Sequence, residues 1–332
     1  MLRTTKWAAL ATVAACALYF APAFADNKII IGFSQASSNA AHRNTMTARN
    51  REYAEKNLPD TKLIITNAEG SSAKQISDVE SLEVQGMKVL MISAQDSAAI
   101  TPTIKDVMAK GIKVVTLERS LPTPVTLHIG PHNEPIGELA GKFLVDKLGG
   151  KGNVVEIKGD PAVAPAIERH DGFAKAIQGS GIKVVAETHA DWDQEKALKF
   201  MEDTLQRFPP GQIQAVYAHN DNMAFGALRA IQAAGRDKEG ILIVGIDGEN
   251  KAIRAVDKGD LAATFTYSTV APQGVIAAHA LATRDVAALD KLGTVSKHND
   301  GSLEVEIPSQ MITKDNAAQF FCKGFGDDPE CK

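Results

Sequence analysis

Lys28-Ile29-Ile30-Ile31-Gly32-Phe33 runs directly into Ser34-Gln35, and that junction sets the fold class. The apolar run is too short for a helix and too continuous for a half-exposed strand, so it reads as a strand buried on both faces. The same unit recurs at Lys62 to Thr66, Lys88 to Ile92 and Lys113 to Leu117, and again at Asn153 to Ile157, Lys183 to Ala186, Gln214 to Ala218 and Ile241 to Ile246. Helical patterns lie between them. Ile136, Leu139, Ala140, Phe143, Leu144 and Leu148 keep helical spacing before Gly149-Gly150, and Ala73, Ile76, Val79 and Leu82 do so before Gly86. Met223, Ala227, Leu228, Ile231 and Ala234 mark another helix, from about Asn222 to Ala234 and closed by Gly235. The stretch after His42 is less regular and is assigned a helix because a parallel crossover needs one. The expectation is α/β, with two βα series forming two similar Rossmann-like lobes around parallel sheets.

The N-terminus addresses the compartment. Arg3 and Lys6 precede an apolar run from Trp7 to Phe20, and Ala23-Phe24-Ala25 has the small-x-small form of a leader-peptidase site. Residues 1–25 are therefore read as a signal peptide cleaved after Ala25, with export to the periplasm. Val13-Ala14-Ala15 before Cys16 also fits a lipidation signal, but a tether holding Leu18, Tyr19 and Phe20 would be poorly solvated. No later segment is apolar enough to cross a membrane. Losing Arg3 and Lys6 moves the formal charge from −4 to −6, and no basic patch suits nucleic acid. Cys322 and Cys331 flank a Gly-containing polar turn near the C-terminus and read as a short disulfide loop, since two thiols alone make a poor metal site.

In open parallel sheets ligands bind beyond the carboxyl ends of the strands. Those positions are polar here: Ser34-Gln35, Glu118-Arg119, His219-Asn220-Asp221 and Asp247-Gly248. Carboxylates accept hydroxyl hydrogen bonds, arginine donates a planar fork and asparagine does both, which suits a polyhydroxylated ligand. Trp192, in the polar setting Ala190-Asp191-Trp192-Asp193, offers the flat face that a sugar's C–H surface packs against. Asp221 and Asp193 read as helix caps. Asp191 to Glu195 lacks the glycine and distal glutamate of a calcium loop, and no nucleophile-elbow, Walker or zinc motif is present. The reading is a non-enzyme without cofactor or metal.

The ordered set Ile31-Gly32-Phe33-Ser34-Gln35, Leu117-Glu118-Arg119-Ser120, Ile167-Glu168-Arg169, Val216-Tyr217-Ala218-His219-Asn220-Asp221, Val244-Gly245-Ile246-Asp247-Gly248 and Leu261-Ala262-Ala263-Thr264 resembles periplasmic sugar-binding proteins of the ribose and galactofuranose type. The resemblance implies two lobes joined by a three-stranded hinge, with crossings near Gly130-Pro131, Tyr267 and Pro308. One lobe would hold residues 26–131 and 268–307, the other 132–267 and 308–332. It implies capture of a monosaccharide, delivery to the permease of an ABC importer, and a monomer. By position, Arg119, Arg169, Asn220 and Asp247 match polar sugar ligands, Trp192 the stacking aromatic, and Tyr267 a hinge contact. Glu118 replaces the usual aspartate. Arg43 matches the galactofuranose branch, while His42 stands where that branch has tryptophan. Gln35 completes the expected ligand set. A sensor role, or a non-sugar polar solute, is the alternative.

Overall fold

Ile29–Gln35 forms β1, extending through the polar pair at its carboxyl end. The computed structural model describes residues 28–326 and 328–331, so the leader, Cys16 and the cleavage point after Ala25 lie outside the described residues. From β1 the chain continues through α1 (Ala41–Asn57), β2 (Thr61–Asn67), α2 (Ser72–Val84), β3 (Val89–Ile92), α3 (Ser97–Ala109), β4 (Lys113–Leu117) and β5 (Leu127–Gly130). A second series follows: α4 (Asn133–Lys147), β6 (Lys151–Lys158), α5 (Ala164–Ile177), β7 (Gly181–His189), α6 (Gln194–Arg207), β8 (Ala215–Ala218), α7 (Asp221–Ala233), β9 (Leu242–Val244), α8 (Asn250–Lys258) and β10 (Ala263–Phe265). The chain ends with α9 (Gln273–Thr283), α10 (Val286–Leu289), β11 (Thr294–Lys297), β12 (Leu303–Glu306) and β13 (Met311–Thr313).

Two sheets result. The first has seven strands in the order β11-β12-β5-β4-β3-β1-β2, the second six in the order β13-β10-β9-β8-β6-β7. All pairings are parallel except β11 with β12 and β13 with β10. Phe33 pairs with Ile65 on one side and Met91 on the other, so β1 is central and its side chains are buried above and below. Each sheet carries an apolar cluster on both faces, which is why its strands read as continuous aliphatic runs instead of alternating ones.

The chain passes between the sheets three times: from β5 to α4, from β10 to α9, and from β12 to β13. Backbone bonds tie these passages together. Ile307 N–H donates to Gly130 O at 3.0 Å and Thr266 N–H to Gln310 O at 2.9 Å.

Helix α1 shows why its pattern was faint. Its buried stripe is His42, Arg43, Met46, Asn50 and Ala54, helical in spacing but largely polar. Leu139 departs from its expected core position in α4, being 41% exposed while Ile136, Ala140 and Leu144 fill the interior. Cys322 and Cys331 are bonded to each other, their Cα atoms 5.1 Å apart. Arg254 of α8 pairs with Asp328 and Glu330 and fastens this loop to the second sheet's helices.

Candidate functional site

The carboxyl ends of the two sheets face a shared cavity of about 500 Å³, within the roughly 300–1,000 Å³ usual for small-molecule sites. Both lobes contribute to its wall. Nine of the ten expected ligand residues line it: His42, Arg43, Glu118, Arg119, Arg169, Trp192, Asn220, Asp247 and Tyr267. Gln35 does not. Its amide lies under α1, donating to Thr47 Oγ1 at 3.2 Å and accepting from Ala36 N–H at 3.1 Å. It completes the end of β1, a polar junction that sequence alone did not separate from a ligand contact.

On the first-sheet side, Glu118 is the organiser. Its Oε1 is 2.5 Å from Arg43 Nη1 and accepts from Ser93 Oγ at 2.9 Å, while Oε2 accepts from the Tyr267 hydroxyl at 3.1 Å. Burial pushes this carboxyl up, but Arg43 and Arg119 more than offset it and bring the pKa down to about 2. Both oxygens are thus engaged by protein donors. Arg119 donates from Nη1 to Ala94 O at 2.5 Å, and its buried Nε forms an ion pair with Glu118 Oε1 at 3.3 Å without hydrogen-bond geometry. Burial, with Arg43 adding to it, brings the Arg119 guanidinium down to about 10. The His42 ring meets Ser268 O through Nε2 at 3.1 Å and packs near Tyr267 and Phe325. Burial and Arg43 hold its pKa near 4, so the ring is neutral at pH 7 and Nε2 carries the donated proton.

The second-sheet side is assembled by α5, β8 and two loops. Arg169 sits where α4 and α5 touch backbone to backbone: a Cβ at Gly137 would lie 2.2 Å from Arg169 O, and one at Gly172 2.0 Å from Glu134 O. Its Nε donates to Asn133 Oδ1 at 3.0 Å and its Nη1 to the His219 carbonyl. The guanidinium lies 4.4 Å from the Tyr267 ring centroid and 5.6 Å from that of Trp192. Trp192 rests on Gly159, where a Cβ would come within 2.1 Å of the indole, so only glycine fits beneath the ring. Asn220 caps α7 by accepting from Met223 N–H at 2.8 Å. Asp221, expected as the cap, is instead fully buried and accepts from Glu249 N–H at 2.9 Å and Thr264 Oγ1 at 2.6 Å, because the helix begins at Asp221 itself, one residue earlier than a cap there would require. Asp193 does cap α6.

Asp247 has no side-chain hydrogen-bond partner among the described residues. Burial pushes its carboxyl up to about 8; Arg169 opposes this and Glu249 adds to it. Glu118, Trp192 and Asp247 all have positive φ, at 55°, 67° and 133°, a backbone region that costs non-glycine residues free energy and clusters at functional sites.

Gln95 and Asp160 also line the cavity and were not in the expected set. Each follows a strand end, β3 and β6, so the same carboxyl-end rule finds them when applied to every strand. Across the cleft, Gln95 Nε2 donates to Asp160 at 3.5 Å and Ser97 N–H to Ala162 O at 3.1 Å. Among the described residues no three metal-ligating side chains converge, and no helix is long and apolar enough to cross a membrane.

The model of the periplasmic binding protein domain matches residues 31–284. The chain belongs to that family. This periplasmic binding protein is 41% identical over 204 residues to the ribose import binding protein of Bacillus subtilis (strain 168), an alignment covering 61% of this chain and 65% of that one. Among solved structures, it resembles the fructose-binding periplasmic domain of a hybrid two-component system, with 31% identity, a TM-score of 0.76, and coverage of 89% of this chain and 94% of that one. A galactofuranose-binding protein superposes with a TM-score of 0.77 at 27% identity, covering 89% and 98%. The ribose and galactofuranose resemblance of the sequence motifs is shown by these matches, as is the two-lobed α/β architecture of this periplasmic binding protein.

Proposed function

We propose that the chain captures one monosaccharide between its lobes and delivers it to the permease of an ABC importer. One observation carries this reading: a cavity shared by both lobes brings together three arginines, a carboxyl group, Asp247, without a donor among the described residues, and the indole face of Trp192. Arginine forks donate to sugar hydroxyls, Asp247 accepts from or donates to them, and the indole covers a C–H face. In this assignment Arg43, Arg119, Arg169, Asn220, Asp247, Tyr267 and His42 surround the ligand. Glu118 holds Arg43, Arg119 and Tyr267 in place.

The lobes divide at the three passages, as 26–131 with 268–307 and 132–267 with 308–332. The chain works as a monomer in the periplasm after cleavage behind Ala25, without cofactor, catalysis or nucleic-acid partner. The relatives support this reading through what they bind: ribose, fructose and galactofuranose by their names. A sensor role is favoured by the two-component neighbour alone; a sugar-dependent pull-down of a receptor kinase in place of a permease would establish it.

A thermal-shift screen of the chain beginning at Asp26, against pentoses, hexoses, polyols and amino acids, tests the proposal. A carbohydrate is expected to raise the melting temperature by mass action. Stabilisation by an amino acid alone would overturn it, and so would release of product from a glycoside.

A further inference from the structure

We propose that His219 and Glu156, neither of which lines the cavity, are positioning residues for its ligand: they lock the ends of β6 and β8 so that Arg169 and Trp192 hold a fixed relative geometry. The inference rests on reading the cavity as the ligand site. Glu156 lies within β6 with no exposure, and His219 just beyond β8 is equally buried. An ionisable pair at the centre of a parallel sheet is costly unless every polar atom is engaged, and an aliphatic residue would serve packing alone.

The engagement is complete. Glu156 Oε1 meets His219 Nε2 at 3.0 Å, and the carboxylate also meets His170 Nδ1 at 2.9 and 3.1 Å. His219 Nδ1 accepts from Gly159 N–H at 3.4 Å. That bond assigns the tautomer: Nδ1 is the acceptor, so Nε2 carries the proton and donates to Glu156. A neutral ring agrees with burial holding the His219 imidazole down to about 4.

The main chain of His219 completes the lock. Its N–H donates to Ile157 O at 2.9 Å, and its carbonyl accepts from Arg169 Nη1. Gly159, held on one side by His219, is held on the other by His189 Nδ1, 2.7 Å from its carbonyl. The Trp192 ring lies on this glycine. A closed circuit therefore runs Trp192, Gly159, His219, Arg169 and back to Trp192 through the cation–ring contact at 5.6 Å. One residue thus sets both: the His219 ring holds the glycine under the stacking surface, and its carbonyl holds the neighbouring donor.

The test compares His219→Ala, Glu156→Gln and the conservative His219→Asn, whose side-chain oxygen can replace Nδ1 at Gly159. All are made in the chain begun at Asp26, where Trp192 is the sole tryptophan. The first readout is the near-UV dichroism and emission of Trp192 without ligand. The second is titration with D-ribose, D-fructose and D-galactose. His219→Ala is expected to alter the ligand-free tryptophan spectra and weaken the bound sugar tenfold or more, with His219→Asn restoring affinity to within threefold. Glu156→Gln, nearly isosteric, is expected to fold even if His219→Ala does not, and to shift the spectra with at least a threefold loss. Folded variants with wild-type spectra and affinities within twofold, whatever their melting temperature, would overturn the proposal. If the wild-type chain binds none of the sugars, the capture reading fails, while the ligand-free spectra still decide the positioning role.

Discussion

The two walls of the cleft are built on opposite principles. On the first-sheet wall Glu118 is saturated by Arg43, Ser93 and Tyr267 and is held ionised by its arginines. On the second-sheet wall the Asp247 carboxyl has no partner among the described residues and burial favours its protonated form, while Trp192 Nε1 is buried without an acceptor. The contrast teaches that the carboxylate of one wall is saturated before ligand arrives, whereas that of the other carries unmet polar demand. For a hydroxyl-rich ligand the second wall offers unmet partners, while the first offers Arg43 and Arg119 already oriented by Glu118.

The largest test of this contrast is Glu118→Gln. It leaves Arg43 and Arg119 buried without their counter-charge, and breaking such a cluster costs about 3–5 kcal/mol. Urea denaturation of the ligand-free protein is expected to show that loss, and a change below about 1 kcal/mol would erase the distinction between the walls. The sign with pH follows from a folded pKa near 2 against an unfolded 4.5: the stabilisation is present above pH 4.5 and is lost as pH falls through 2.

Arg119→Ala comes next. Removing one charged donor is expected to cost about 1.5–3 kcal/mol of binding, a tenfold or greater rise in Kd by calorimetry. Unchanged affinity in the folded variant removes Arg119 from the ligand set.

Asp247→Asn sharpens the comparison because stability and binding should move in opposite directions. An acid with a folded pKa near 8 and an unfolded value of 3.8 takes up a proton on folding between those limits, so its contribution to stability falls as pH rises through that window. The amide is expected to raise ligand-free stability by about 1–2 kcal/mol at pH 8 and to weaken sugar binding. A destabilised variant would show that the Asp247 carboxyl, like that of Glu118, is saturated within the protein.

The smallest effect is expected from Trp192→Ala: a loss of about 1 kcal/mol in binding, from the lost stacking surface. Wild-type Trp192 emission should change on saturation with sugar. A silent tryptophan and unaltered affinity would place the ligand away from the indole.

The fold was legible because strands buried on both faces are predominantly apolar, as β3 is throughout and β1 and β4 are over most of their length. The strands that sequence did not mark, β5 and β10 to β13, are at most four residues long, and β11 is mostly exposed. The pairings of β12 with β5 and of β13 with β10 join residues distant in the chain, which local sequence does not reveal. In the site, strand ends pointed to Glu118, Arg119, Asn220 and Asp247, and a polar setting singled out Trp192, whereas His42, Arg43, Arg169 and Tyr267 came only through the family resemblance; the same strand-end rule also offered Gln35, which turns inward. Ser93 and Gly159 gave no signal: a small residue after a strand is ordinary until the side chain resting on it is known.

The late strands also govern the order of assembly. Strand β12 fills the gap between β5 and β11 in one sheet, and β13 closes an edge of the other, so both sheets await residues 303–313. A nascent chain therefore completes neither sheet until residues 303–313 have been made, so the sheet begun first is not finished first. The interleaving that joins the two sheets through three passages thus keeps the growing polypeptide unpaired at both sheets until those strands emerge.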